Sequence, residues 1–496
     1  MNIQQFLEHQ GIASNPFADE DAQTDQVFKG FCIKSTYHPT WDKIYGDPAD
    51  PSTAVVFGEK GSGKTAIGLQ IIGHLADYNA SHPDQQALVI RYDDFNPFLD
   101  RFRERFSGRR RIDRILGEWK LWDHMDAILS VGVTQLVDRL LDVKQARHPA
   151  AAEAGPLSVQ ALDASQRRDI LLLAACYDQT TRENTELRWG RLRRKLRVSA
   201  WRSKLDLLLG LVSTGVVIGG IGYLHHWAWL GTVWPYLAIL AGWLPRLFRT
   251  LAWHWRAAQI VRNARTLNHN PNAIRRMLMQ IRGKQIVDQP LPVHCRTDDR
   301  YALLAKFQTA LRTLGFSGIV VLVDRVDEPY LINGSLELMR ELVWPLLDNK
   351  FLKHPGMGLK LLFPAELVTY VDRESREFYE RARLDKQNMV RSLHWTGQSL
   401  YDVAEARLRA CAVEGATPSL DKMFNEAIDC RRLQDAFSTL RVPRHLFKFM
   451  YRVLTAHCNA HTDQQPEWRI SEATFQSALA LYQREQDAFD RGVGAV

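Results

Sequence analysis

The chain has 496 residues, 46% apolar and 24% charged, and its six cysteines include no Cys-x-x-Cys pair. This composition excludes a fibrous or disordered protein and favours neither a disulfide framework nor a zinc knuckle. The net charge is +8, but residues 181–265 hold 14 lysines and arginines against 3 acids, which leaves −3 for the rest. A basic excess confined to one segment argues against nucleic acid as a partner.

The first predicted strand and helix flank a glycine-rich loop. Residues 53–57 (TAVVF) predict a buried strand, and residues 66–72 (AIGLQII) predict an apolar helix. The sequence between them, GEKGSGKT, matches the phosphate-binding pattern G-x-x-x-x-G-K-[ST], in which backbone N–H groups point at phosphate oxygens. The predicted nucleotide-binding residues are Gly58, Glu59, Lys60, Gly61, Ser62, Gly63, Lys64 and Thr65.

Two side chains of this loop have predicted chemical roles. Lys64 reaches the β- and γ-phosphates and counts among the catalytic residues, and the Thr65 hydroxyl is a ligand of Mg²⁺. The predicted cofactors are therefore ATP and Mg²⁺. The alternative is a glycine-rich turn with a solvated lysine.

Further along the chain, residues 87–92 predict a second strand, and residues 99–145 and 157–200 predict helices. The stretch 147–156, rich in Ala, Pro and Gly, predicts an exposed linker between them.

Two 18-residue segments without charge follow, at residues 207–224 and 227–244. Each approaches the length that crosses a hydrocarbon core of about 30 Å, basic residues flank both outer ends, and tryptophans lie near the segment ends. This pattern predicts a two-helix transmembrane hairpin in the inner (cytoplasmic) membrane, with two spans and both terminal domains cytoplasmic. The alternative is a buried helical hairpin in a soluble domain.

A third, fully apolar strand is predicted at residues 318–323, directly before Asp324. A carboxylate after such a strand is the expected second Mg²⁺ ligand of a P-loop site. Asp327 and Glu328 follow, and one of them is expected to orient the attacking water as a catalytic residue. The alternative is that they cap the helix after Pro329.

Residues 359–363 predict the next strand, and the chain from about residue 391 onward predicts helices only. The resulting fold prediction is an α/β protein: a parallel P-loop NTPase sheet with an all-helical C-terminal lid and the inserted two-helix transmembrane hairpin.

A P-loop core followed by a helical lid resembles the AAA+ and STAND-type NTPases. The segment 438–446 (STLRVPRHL) is similar to their sensor 2 region, and this resemblance implies that Arg444 contacts the γ-phosphate as a catalytic residue. A solvated helix arginine is the alternative. Residues 15–17 (NPF) resemble the entry segment of origin-recognition-complex-like AAA ATPases. Membrane helices between the P-loop and the magnesium aspartate resemble the KAP family.

One residue departs from these families. Arg325 stands directly after Asp324, where AAA+ proteins usually have Glu and STAND proteins often Asp. The departure affects the prediction of hydrolysis more than that of nucleotide binding.

The predicted domains are an entry segment (1–50), a first half of the NTPase core with a helical insertion (51–200), the hairpin (201–256), a second half of the core (257–390) and the lid (391–496). The predicted function is a membrane-anchored ATPase that acts as a nucleotide-dependent switch in signalling or defence. Two alternatives are an energising ATPase of a membrane or secretion assembly and a non-hydrolysing nucleotide-gated scaffold. The predicted partners are the membrane, through residues 207–244, and a second copy of the chain or another protein.

Overall fold

A computed structural model describes residues 1–106, 112–143, 157–180, 183–199, 205–223, 227–281, 289–384 and 388–490. The predicted linker 147–156 lies outside this part of the chain. The strands are β1 Ala54–Gly58, β2 Gln86–Tyr92, β3 Phe316–Val323, β4 Met357–Pro364 and β5 Asn388–Val390.

The helices, in chain order, are α1 Ile3–His9, α2 Trp41–Tyr45, α3 Lys64–Ser81, α4 Asn96–Glu104, α5 Ile112–Leu116, α6 Leu121–Leu141, α7 Ala164–Tyr177, α8 Thr185–Lys195, α9 Leu205–Tyr223, α10 Trp234–Asn263, α11 Pro271–Met279, α12 Thr297–Thr313, α13 Leu336–Val343, α14 Asn349–Leu352, α15 Val368–Arg373, α16 Arg376–Ala382, α17 Gly397–Ala410, α18 Leu420–Met423, α19 Cys430–Ser438, α20 Pro443–Ala460 and α21 Glu472–Asp490. Single turns of 3₁₀-helix occupy Trp227–Gly231, Trp344–Leu346 and Ala365–Leu367, and a π-helical turn occupies Phe28–Cys32.

The five strands form one parallel sheet in the order β2-β3-β4-β1-β5. The prediction of an α/β fold with a parallel sheet is therefore confirmed. β1 pairs in parallel with β4 and β5, so that Ala54 lies opposite Lys360 on one side and opposite Asn388 on the other. Every residue of β1 and β4 is buried, as the continuous apolar runs of central parallel strands require.

The chain divides into two compact units. Unit 1 comprises Met1–Tyr78, Leu322–Asp327 and Asp348–Val496, and unit 2 comprises Asn79–Val321 and Glu328–Leu347. Unit 1 thus contains α1, α2, most of α3, the strands β1, β4 and β5, the end of β3, and the helices from α14 onward.

A hydrophobic core of unit 1, the C-terminal core, joins the start of the chain to the C-terminal helices. Phe6 and Leu7 of α1 are fully buried in it, together with Leu400 of α17 and Phe449 of α20. Beyond β5, the described chain forms helices α17 to α21, as the helical pattern of the sequence predicts.

The transmembrane hairpin is a wrong prediction. Within the described ranges, no helix combines the length and the apolar character needed to cross a membrane. α9 ends at Tyr223, so its uncharged part, which begins after Asp206, is 17 residues long. The second predicted segment, residues 227–244, is divided between a 3₁₀ turn and α10. α10 then runs on through Arg246 and Arg249. The predicted inner-membrane localisation with two spans is wrong for the same reason.

α9 and α10 pack against each other at small residues. The ring of Trp243 lies where a side chain on Gly210 would be, and the Trp243 indole N–H donates to Thr214 Oγ1 at 3.1 Å. Their other faces carry exposed apolar side chains, which include Leu209, Val212, Val216, Ile218, Trp234, Leu237, Leu240, Phe248 and Leu251.

Unit 2 contains buried charges that are paired with each other. Arg188 of α8 is 2% exposed, and it donates to Asp178 Oδ2 and to Asp138 Oδ1 at 2.7 Å each. Arg300 of α12 donates to both carboxylate oxygens of Asp126 of α6, at 3.1 and 2.9 Å. Burial raises the pKa of Asp178 and Asp126, and the neighbouring arginines oppose that shift. Each of these buried carboxylates is therefore paired with an arginine.

We predict that Arg188→Met lowers the free energy of unfolding by about 3–5 kcal/mol, because Asp138 and Asp178 would stay buried without a cation. Urea denaturation followed by circular dichroism measures the change. The matched control is Arg191→Met on the same helix, since Arg191 is exposed and its ion pair with Glu183 is expected to contribute about 1 kcal/mol or less. Equal losses in the two variants would contradict the prediction.

Candidate functional site

The glycine-rich loop lies where the sequence predicts it, between the end of β1 and the start of α3 at Lys64. Gly61 and Gly63 have φ values of +89° and +92°, in the left-handed region that favours glycine. A side chain on Gly58 would lie 2.4 Å from Ser62 Oγ, so a larger residue there would require the Ser62 side chain to move. The loop backbone therefore depends on its glycines.

Lys64 lies folded over the loop that precedes it. Its ammonium group donates to the carbonyl oxygens of Gly58 at 2.7 Å and Glu59 at 3.0 Å. Burial lowers the pKa of Lys64. The nearby carboxylates of Asp324, Asp327 and Glu366 oppose the shift, and Arg444 adds to it. The lysine ammonium is therefore partly desolvated, with Asp324, Asp327, Glu366 and Arg444 as the charged groups that act on it.

The structure brings together the two predicted Mg²⁺ ligands, which are 259 residues apart in the chain. The Thr65 hydroxyl donates to Asp324 Oδ2 at 2.8 Å. Asp324 is 9% exposed, and burial raises its pKa. The bond from Thr65, a backbone N–H bond from Arg325 and the charge of Lys64 oppose that shift.

A hydroxyl and a carboxylate are hard oxygen donors, so this pair fits the ligand preference of Mg²⁺. The described residues contain no group of three or more His, Cys, Asp and Glu side chains arranged to hold a metal ion. Mg²⁺ in nucleotide sites commonly takes one or two protein ligands and completes its shell with phosphate oxygens and water. Thr65 and Asp324 meet that smaller requirement.

The acids after Asp324 are placed differently from each other. Asp327 belongs to unit 1, and its negative charge raises the pKa of Lys64, which opposes the effect of burial. Glu328 is exposed and begins the second segment of unit 2. Arg325 has a φ of +60°, which is uncommon for a residue with a side chain.

Arg444 of the predicted sensor 2 region contacts the glycine-rich loop directly. Its backbone N–H donates to the Gly61 carbonyl at 3.4 Å, and a side chain on Gly61 would lie 2.6 Å from the Arg444 Cβ. Among the described residues, the buried Arg444 Nε and Ser62 Oγ have no hydrogen-bond partner. Buried polar atoms left unpaired in this way are consistent with a ligand site.

Three residues at this site are not predicted from the sequence. Trp395 donates its indole N–H to the Ser62 carbonyl at 2.9 Å, and His38 packs edge-on against the Trp395 ring. Glu366 lies in the turn after β4, two residues beyond the Gly58–Pro364 pair. Glu366 could have been identified from the sequence because it follows closely after a predicted apolar strand. Trp395 and His38 lie in no sequence pattern that indicates a site.

Comparison of the chain with protein-family models, curated proteins and solved structures finds no match.

We predict that Asp324→Asn raises the free energy of unfolding at pH 8 by about 0.5–2 kcal/mol, the range of common stabilising substitutions. The raised pKa means that the folded state binds a proton more tightly than the unfolded chain, so ionised Asp324 costs stability above that pKa. The gain should vanish below about pH 4, where the carboxyl is protonated in both states.

Urea denaturation at several pH values measures this difference. Asp372→Asn is the control, because Asp372 is 46% exposed in a surface ion pair with Arg391. A loss of stability at pH 8 in Asp324→Asn would show instead that the attraction between Asp324 and Lys64 outweighs the cost of burial.

Proposed function

We propose that the protein is a P-loop NTPase that binds ATP with Mg²⁺ and hydrolyses it. The hydrogen bond between Thr65 and Asp324 carries the proposal, since it joins the two predicted Mg²⁺ ligands close to Lys64, the predicted phosphate-binding lysine. Arg444 supports it as a second cation in contact with the loop at Gly61.

The residues of the site have separate roles in this proposal. The loop backbone and Lys64 bind the phosphates, and Thr65 and Asp324 hold Mg²⁺, which neutralises charge on the phosphates when bound. Asp327 accepts a proton from the attacking water and orients it. Arg444 stabilises the charge of the transferred phosphate, because a guanidinium group binds phosphate oxygens at two points and stays ionised.

The output is a nucleotide-dependent switch. Arg444 lies at the start of α20, whose buried face belongs to the C-terminal core, so a phosphate bound by both Gly61 and Arg444 would hold that helical region on the loop. Hydrolysis removes the shared phosphate and releases the contact, as in other P-loop switches. A role in signalling or defence fits such a switch.

A protein partner is the second part of the proposal. Large exposed apolar patches mark interaction surfaces, and α9 and α10 expose apolar side chains along their outer faces. We place the contact with a second copy of the chain on these two helices.

The alternative function is a nucleotide-gated scaffold that binds ATP without turnover. Arg325 favours it, because the position after Asp324 lacks an acid and the backbone there has a positive φ. Measured binding without phosphate release would select this alternative.

We predict that Lys64→Ala weakens ATP binding at least 100-fold, since it removes the charge that the phosphates require. Asp324→Ala should abolish the Mg²⁺ dependence of binding instead. Isothermal titration with ATP, in Mg²⁺ and in EDTA, measures both effects. The control is Lys29→Ala, an exposed lysine of unit 1 outside the loop, and binding that survives in Lys64→Ala would refute the proposed site.

We predict that Asp327→Asn lowers phosphate release by about 10²–10⁴-fold while ATP binding is kept, which is the range for a lost general base. Glu366→Gln and Glu328→Gln are compared in the same assay. A loss confined to either of these variants would transfer the role of the base to that residue.

A further inference from the structure

The segment between Pro16 and Asp25, which we call the N-terminal strap, is held at both ends by one arginine. Arg407 of α17 donates from Nε to the Pro16 carbonyl and from Nη1 to Asp25 Oδ2, at 2.6 Å each. Arg407 and Asp25 are 3% and 2% exposed. The strap therefore has fixed ends.

Aromatic packing supports the same attachment. The Arg407 guanidinium lies over the ring of Phe447 at 4.4 Å, and Phe17 packs against that ring at a centroid distance of 6.3 Å. Phe447 belongs to α20, the helix that carries Arg444. The strap and the start of α20 are thus parts of one packed structure in unit 1.

Between its fixed ends, the strap carries Glu20 to the cations of α20. Glu20 Oε2 lies 3.8 Å from Arg444 Nε and 3.5 Å from Lys448 Nζ. Residues four apart lie on the same helix face, so Arg444 and Lys448 present two cations to one carboxylate oxygen. Arg444 also contacts Gly61 of the loop. A carboxylate therefore occupies an anion position beside the phosphate-binding loop.

We propose that Glu20 is an intramolecular competitor of the terminal phosphate of ATP for Arg444 and Lys448. Lys448 is then a second phosphate-binding residue of the helical region, and nucleotide binding displaces the tip of the strap while Arg407 keeps its ends in place. This inference rests on the proposed function.

The terminal phosphate is the expected competitor for a geometric reason. Arg444 lies close enough to Lys64 for its charge to act on that group, and a P-loop lysine reaches the β- and γ-phosphates. ATP places a phosphate in this region that ADP lacks. Glu20 should therefore oppose ATP more than ADP.

The expected effect is small because the groups are partly exposed. The side chains of Glu20, Arg444 and Lys448 are 37%, 29% and 45% exposed. Ion pairs of this type change an equilibrium constant by about fivefold at most. The strap thus tunes affinity and does not block the site.

The test is the affinity of the full chain for a non-hydrolysable ATP analogue and for ADP, each with Mg²⁺. We expect Glu20→Gln to tighten binding of the ATP analogue about two- to fivefold and to leave ADP binding unchanged. The matched control is Asp19→Asn, which removes the same charge from the neighbouring exposed position. If Asp19→Asn tightens binding of the ATP analogue equally, the gain comes from the change in net charge alone, and the proposal is overturned.

A second variant tests the assigned cation. In a Lys448→Gln background, the gain from Glu20→Gln should shrink, because one of the two groups for which Glu20 competes is absent. An undiminished gain would overturn the role of Lys448. Weaker binding of the ATP analogue in Glu20→Gln would show that Glu20 positions Arg444 instead of competing for it.

Hydrogen exchange gives an independent measurement. Binding of the ATP analogue should increase amide exchange at residues 18–24, and unchanged exchange there would contradict displacement of the strap. These failures are distinct from failure of the proposed function, in which the wild type and Lys64→Ala would both lack nucleotide binding.

Discussion

The hydrogen bond between Thr65 and Asp324 is the constraint on which the rest of the site depends. The carboxyl ends of parallel strands meet at one edge of a sheet, which is why the loop after β1 and the acid after β3 can come together across 259 residues. Between them in the chain lies almost all of unit 2. The insertion can be large because the strand ends, and not the length of the connection, determine where Thr65 and Asp324 meet.

Charge is buried in both units, but the arrangements differ. Arg188 and Arg300 of unit 2 have carboxylates at hydrogen-bond distance, so each charge is satisfied within the fold. At the loop of unit 1, Arg444 Nε lies 3.8 Å from Glu20 Oε2 but has no hydrogen-bond partner within the described structure, and Lys64 donates to neutral carbonyls. The first arrangement is typical of structural ion pairs, and the second of a site that is completed by a ligand.

The local features of the fold are predictable from the sequence. The loop between residues 58 and 65, β2 and β4 follow from short apolar runs and turn residues, because each signal lies within about ten residues. β5 has three residues and gives no such signal. The Arg407–Asp25 pair joins residues 382 apart, which no local pattern can indicate. The hairpin prediction is wrong because residues 227–244 are split between a 3₁₀ turn and α10, and α10 continues beyond them through Arg246 and Arg249.

The division of the chain into interleaved units has a consequence for protein synthesis. β1 ends at Gly58, but its neighbour β4 begins only at Met357, 299 residues later, and β5 follows β4. At about 5–20 residues per second, a ribosome needs about 15–60 s to make that stretch. During this time the apolar β1 strand has neither of its partners, while the segments of unit 2 are completed first. The apolar β1 strand of the nascent chain therefore stays without its sheet neighbours until the second part of unit 1 emerges.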